Sequence, residues 1–142
     1  MQFDLSRLTL EDVGRFYTGL RTNDLKAMNE TMVKAASEDD VVVDFLDLEY
    51  AEFNREVKAF RDADTALAQE STATEGFNVN LKKVTARRMD AYYAAIRDGD
   101  LNGILGVMRE CMTPWPTADL TYGEYMGLLR AFMESVKKTA SI

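Results

Sequence analysis

Residues 8–25 read LTLEDVGRFYTGLRTNDL, and residues 84–101 read VTARRMDAYYAAIRDGDL. At a constant offset of 76, Thr9, Tyr17, Arg21, Asp24 and Leu25 meet the identical residues Thr85, Tyr93, Arg97, Asp100 and Leu101. Leu8/Val84, Val13/Met89, Phe16/Tyr92 and Leu20/Ile96 are apolar exchanges in the same frame, and Met32 meets Met108. Farther on, at an offset of 75, Glu49-Tyr50 meets Glu124-Tyr125, Phe53 meets Leu128 and Arg55 meets Arg130. Upstream, Phe3-Asp4-Leu5 resembles Phe77-Asn78-Val79, with a two-residue length difference before the threonine. Columns that recur in one order point to an internal duplication, the alternative being two amphipathic hairpins that look alike because the same physics shaped both.

Each copy reads as three helices. Thr9 and Thr85 are N-cap candidates, because a short hydroxyl can accept from an orphan N–H of the first turn; Asp12 follows Thr9 at capping-box spacing. Val13, Phe16, Tyr17 and Leu20 then form one stripe, echoed by Met89, Tyr92, Tyr93 and Ile96. A break follows at Thr22-Asn23 or Asp98-Gly99, and Asp24 or Asp100 caps a second helix carrying Leu25, Met28 and Met32, or Leu101, Ile104, Leu105 and Met108. The third helices present Tyr50, Phe53, Val57, Phe60, Ala63 and Leu67, and Tyr122, Tyr125, Leu129, Phe132 and Val136, in steps of three and four. The expected fold is therefore all-α, a helical bundle built from two similar three-helix repeats. Val41-Val42-Val43 and Phe77-Asn78-Val79 are the only candidate short strands. The repeats divide as 1–70 and 77–142, and the small, polar run 71–76 reads as a flexible connector.

The hexapeptide DGDLNG (98–103) resembles the first half of a calcium loop, with oxygen ligands at positions 1, 3 and 5 and glycine at 6. Position 12 is Arg109, where a bidentate Glu is needed, and the first copy has TNDLKA at the same place. The shared element is a capping aspartate and a buried leucine, so no metal is expected. Carboxylates crowd at Glu38-Asp39-Asp40 and through Asp44, Asp47, Glu49, Glu52 and Glu56, which reads as a solvated face.

The chain has 142 residues, one cysteine, no histidine and a net charge of −7. Without histidine there is no imidazole base or metal ligand, and one thiol cannot build a zinc site. No enzymatic activity and no cofactor are expected. Residues 1–70 carry −8 and residues 71–142 carry +1. That acidity disfavours nucleic-acid binding. Apolar runs too short for a bilayer and a start without an h-region predict a soluble, cytoplasmic protein with no membrane partner. Cys111 and the eight methionines read as core.

Two stretches suggest partner binding. Lys82, Lys83, Arg87 and Arg88 form a basic cluster, which either pairs with the acidic first copy or docks an acidic partner. Thr113-Pro114-Trp115-Pro116-Thr117 holds the only tryptophan in an extended turn, either plugging the bundle or serving as an exposed anchor.

The phrases LTLE…RTNDL with Leu48-Glu49-Tyr50, and RDGDL with Trp115-Pro116 and DLTYGEY (119–125), resemble the small helical tail-assembly chaperones of long-tailed bacteriophages. That resemblance implies a non-enzymatic protein that binds the long, apolar, helical tape-measure protein in the host bacterial cytoplasm. It brings no residue-level site and leaves a homo-oligomer open. The alternative is a helical adaptor or regulatory protein with another protein partner.

Overall fold

The structure, a computed structural model, describes residues 2–36, 44–115 and 119–139. Among them the fold is all-α, with helices α1 (Leu10–Thr22), α2 (Leu25–Ala35), α3 (Tyr50–Glu70), α4 (Ala86–Asp98), α5 (Leu101–Cys111) and α6 (Tyr122–Thr139). Two short strands, β1 (Asn78–Val79) and β2 (Met112–Thr113), pair antiparallel. Val41–Val43, Glu38–Asp40 and Pro116 lie outside the described residues. The chain divides into two units: Met1–Glu70 with Thr121–Gly123, and Ser71–Leu120 with Glu124–Ile142.

The two units are built by the same local chemistry at an offset of 76. Thr9 Oγ1 accepts the Asp12 N–H at 3.1 Å, and Thr85 Oγ1 accepts the Arg88 N–H at 3.2 Å. Only Thr9 has the reciprocal bond, its N–H donating to Asp12 Oδ2 at 3.3 Å. Both first helices run for 13 residues and end in a left-handed residue, Asn23 (φ 59°) or Gly99 (φ 65°). Asn and Gly are the residues that tolerate that conformation. Asp24 and Asp100 then cap the 11-residue second helices by accepting from Ala27 and Gly103. Each such cap is worth about 1 kcal/mol.

The correspondence extends upstream without a gap. Phe3 bridges Ala36 and Val79 pairs with Met112, both antiparallel. The Asp4 N–H donates to Ala35 O and the Asn80 N–H to Cys111 O, each at 2.8 Å. Phe3 therefore matches Val79, and the two-residue length difference expected from Phe77 is corrected. An ion pair is conserved between the copies with its signs exchanged: Asp12–Lys34 at 2.9 Å in the first, Arg88–Glu110 at 2.8 Å in the second.

The third helices match at 72 rather than 75. Both open on a tyrosine, Tyr50 or Tyr122, after the tripeptide Asp47-Leu48-Glu49 or Asp119-Leu120-Thr121. Phe60 stacks on Phe16 with centroids 4.0 Å apart, and Phe132 meets Tyr92 at 5.5 Å. Burial also revises the stripes: Tyr50 is 65% exposed, so the buried seam of α3 is Phe53, Val57 and Phe60. On α4, Tyr92 is buried but Tyr93 and Ile96 are 49% and 47% exposed. On α6, Tyr122, Tyr125, Leu128 and Phe132 are buried, whereas Leu129 and Val136 are only partly so. Within residues 71–76, the Thr74 N–H donates to Gly127 O at 3.1 Å.

Where the first helix meets the second, the copies share one constraint. Gly19 faces Ala27 in the first unit, and Ala95 faces Gly103 in the second, so each crossing has room for only one Cβ. A Cβ on Gly19 would fall 2.9 Å from the Asp24 carbonyl oxygen and 3.0 Å from Met28 Cγ. Gly14, in the same helix, would meet nothing within 4 Å. Gly19→Ala should therefore destabilise by roughly 1–3 kcal/mol through overpacking. Gly14→Ala should stabilise by about 0.5–1 kcal/mol by removing a flexible residue from a helix interior. Thermal unfolding of the two variants checks this, and shifts of the same sign would contradict it.

Candidate functional site

Three side chains from separate elements converge in the first unit. Asp64 of α3 takes the Tyr122 hydroxyl on Oδ1 at 2.6 Å and the Tyr17 hydroxyl on Oδ2. Burial pushes the Tyr17 phenol well above its ordinary value, and the hydrogen bond and charge of Asp64 push it the same way, against a small opposing pull from Arg61. Beside it lies an open hollow of about 320 Å³ lined by Tyr17, Lys58, Arg61, Asp62 and Thr65. Lys58 and Asp62 pair across one helical turn at 2.9 Å. A phenol held this firmly protonated is a poor base and a poor nucleophile. The cluster works as a latch that fixes Thr121–Gly123 in the first unit. Tyr122 N–H donates to Leu8 O at 2.7 Å, Gly123 N–H donates to Ser6 O at 3.0 Å, and Thr121 bridges Thr9.

In the second unit, burial raises the Cys111 thiol, only partly offset by nearby Arg88 and Lys83, and its Sγ lies 3.7 Å from Lys83 O. At 1% exposure it is a core residue without thiolate character. Tyr92 is pushed up to about 12 by burial, with the neighbouring Tyr93 adding to the shift, and donates to Met133 Sδ at 2.9 Å. Neither side chain is presented to a substrate.

The basic cluster does not act as one body. Arg88 is a clamp, its Nε donating to Glu110 Oε2 and a terminal nitrogen to Lys83 O at 2.7 Å. Its ion-pair partner lies in its own repeat, which corrects the expected pairing of this arginine with the acidic first copy. Lys82, Lys83 and Arg87 are exposed. Trp115 is partly buried after β2, with the Arg109 guanidinium 5.7 Å from its ring centroid, and Pro114 before it is exposed. That Arg–Trp contact is a cation–π pair at a surface.

The aspartate that suggested calcium is engaged elsewhere, since Asp100 Oδ1 accepts the Gly103 N–H at 3.0 Å. Among the described residues, no group of three or more His, Cys, Asp or Glu side chains is placed to hold a metal ion. No helix among them is long and apolar enough to cross a membrane.

Sequence patterning missed one class of residue. Leu46 (39%), Leu48 (36%) and Tyr50 (65%) are exposed in the first unit, and Leu81 (45%), Tyr93 and Ile96 in the second. Periodicity placed Tyr50, Tyr93 and Ile96 on apolar stripes, but it carries no information on whether another element covers that end of a stripe. The signal available was the repeated Asp-Leu-x-Tyr of residues 47–50 and 119–122. A comparison with protein families, curated proteins and solved structures finds no match to this chain.

Proposed function

We propose that this chain is a non-enzymatic, helical protein-binding module, and that it serves as a tail-assembly chaperone holding the tape-measure protein of a long-tailed phage. The observation that carries the binding reading is the Trp115–Arg109 pair, a partly exposed aromatic with a cation against its ring beside the exposed Pro114. Tryptophan and arginine are the residues that most often dominate binding energy when a partner desolvates them. The resemblance of both copies to tail-assembly chaperones supplies the partner, a long apolar helical chain. The acidic net charge of −7 and the all-α architecture are compatible with keeping such a partner in solution.

Co-expression tests the reading. A tape-measure gene should neighbour the gene for this chain, the full chain should co-purify with its product, and Trp115→Ala should cut recovery at least about tenfold, the scale of a lost hot spot. Far-ultraviolet circular dichroism should show Trp115→Ala as helical as the parent. Absence of co-purification, or capture unaffected by the substitution, would contradict it.

A further inference from the structure

The tetrapeptide Asp-Leu-x-Tyr occurs twice, once seated and once bare. In Asp119-Leu120-Thr121-Tyr122, Tyr122 is 3% exposed, and the segment is hydrogen-bonded along the edge Ser6–Thr9. In Asp47-Leu48-Glu49-Tyr50, Leu48 and Tyr50 are 36% and 65% exposed. The edge equivalent to Ser6–Thr9 is Lys82–Thr85. There, among the described residues, no segment donates to the Lys82 or Val84 carbonyl, the counterparts of the Ser6 and Leu8 oxygens. Leu5 is 2% exposed whereas its counterpart Leu81 is 45% exposed, and Tyr93 stands bare where Tyr17 is latched. Among the described residues, both halves of such a seat are therefore exposed, one in each unit.

We infer that a second copy of this chain supplies the missing half: the Asp47–Ala51 segment of one copy docks on the Lys82–Thr85 edge of the next. The first-turn N–H groups of Tyr50 and Ala51 meet the Val84 and Lys82 carbonyls, as those of Tyr122 and Gly123 meet Leu8 and Ser6. Leu48 and Tyr50 cover Leu81, Tyr93 and Ile96. Charge favours the match, because Asp47, Glu49 and Glu52 approach Lys82, Lys83 and Arg87, all exposed.

Two differences make this junction weaker than the seated copy. Val136 stands at the position of Asp64, so Tyr50 has no carboxylate acceptor. Ala51 stands at the position of Gly123, where a Cβ would lie 3.1 Å from Ser6 O, so the edge must yield slightly. The contact is heterologous, so each junction leaves one bare segment and one bare edge for further copies. This inference rests on the repeat geometry and is independent of the identity of any other partner.

Sedimentation velocity over a range of concentrations tests it. The full chain should show a mass that rises above 16.0 kDa with concentration and falls back as salt is added. Tyr50→Glu and Ile96→Glu, both at exposed positions, should each stay monomeric while keeping their helical circular dichroism. Lys82→Glu is a second edge variant with the same expected outcome. Mixing Tyr50→Glu with Ile96→Glu should restore one junction, giving a species of twice 16.0 kDa and nothing larger. A parent chain that stays at 16.0 kDa throughout, a variant that associates like the parent, or a mixture that stays monomeric would overturn the inference.

Discussion

Phe60→Ala lowers stability by about 3–5 kcal/mol, the range for removing a fully buried ring and leaving its cavity. Phe60 is 0% exposed and is the centre of the first unit's core. It lies against Phe16 with ring centroids 4.0 Å apart and takes Phe3 edge-on at 5.5 Å. Phe3 belongs to the segment that bridges Ala36, so loss of the ring loosens α1, α3 and that bridge together. Phe132→Ala in the second unit removes an equally buried ring with, among the described residues, one aromatic contact, to Tyr92 at 5.5 Å. Its cost should fall toward the lower end of the same range. Denaturant unfolding measures both, and a loss below about 1 kcal/mol for Phe60→Ala would mean that the site is not packed as described.

Asp64→Ala is expected to cost about 2–4 kcal/mol, because two tyrosine hydroxyls lose one shared acceptor. An unsatisfied buried donor costs about 1–3 kcal/mol, and Tyr17 is only partly buried, which lowers the total. Removing the donors instead, with Tyr17→Phe and Tyr122→Phe together, leaves no orphan hydroxyl and should cost less than Asp64→Ala alone. The same cluster sets an alkaline limit. The folded Tyr17 phenol lies above its unfolded value of 10.0. Its stabilising contribution is therefore complete below pH 10 and is lost as pH climbs through the folded value. Asp64→Ala removes one cause of that rise, so its loss of stability relative to the parent should shrink as the pH is raised above 10. Equal costs for Asp64→Ala and the double tyrosine variant would contradict the shared-acceptor arrangement.

Much of the fold was legible in the sequence because local chemistry repeats. The caps at Thr9, Thr85, Asp24 and Asp100 were readable, since each needs one short polar side chain at a fixed distance from an apolar stripe. The exchanged ion pair was not. Asp12 against Arg88 and Lys34 against Glu110 look like mismatches column by column, and they are compatible only when both partners are seen in space. The third-helix register was misjudged because Glu49-Tyr50 and Glu124-Tyr125 match by identity, whereas helix starts and ring contacts select Tyr50 with Tyr122. Asp64 could not be anticipated, since its tyrosine partners lie 47 and 58 residues away along the chain. Exposure at Tyr50, Tyr93 and Ile96 was hidden for a different reason. Periodicity assigns a residue to a face, and only the packed structure says what lies over that face.

One helical unit occurs twice, at an offset of 76 through its first two helices and of 72 in its third. Amide hydrogen exchange, read residue by residue on the full chain, tests this directly. Protection should come in pairs: Asp4 with Asn80, Asp24 with Asp100, and Ala36 with Met112, each N–H donating to the equivalent carbonyl. Matched protection at these positions is the expected result. Protection of one member of each pair, with its counterpart exchanging like an open loop, would contradict the duplication.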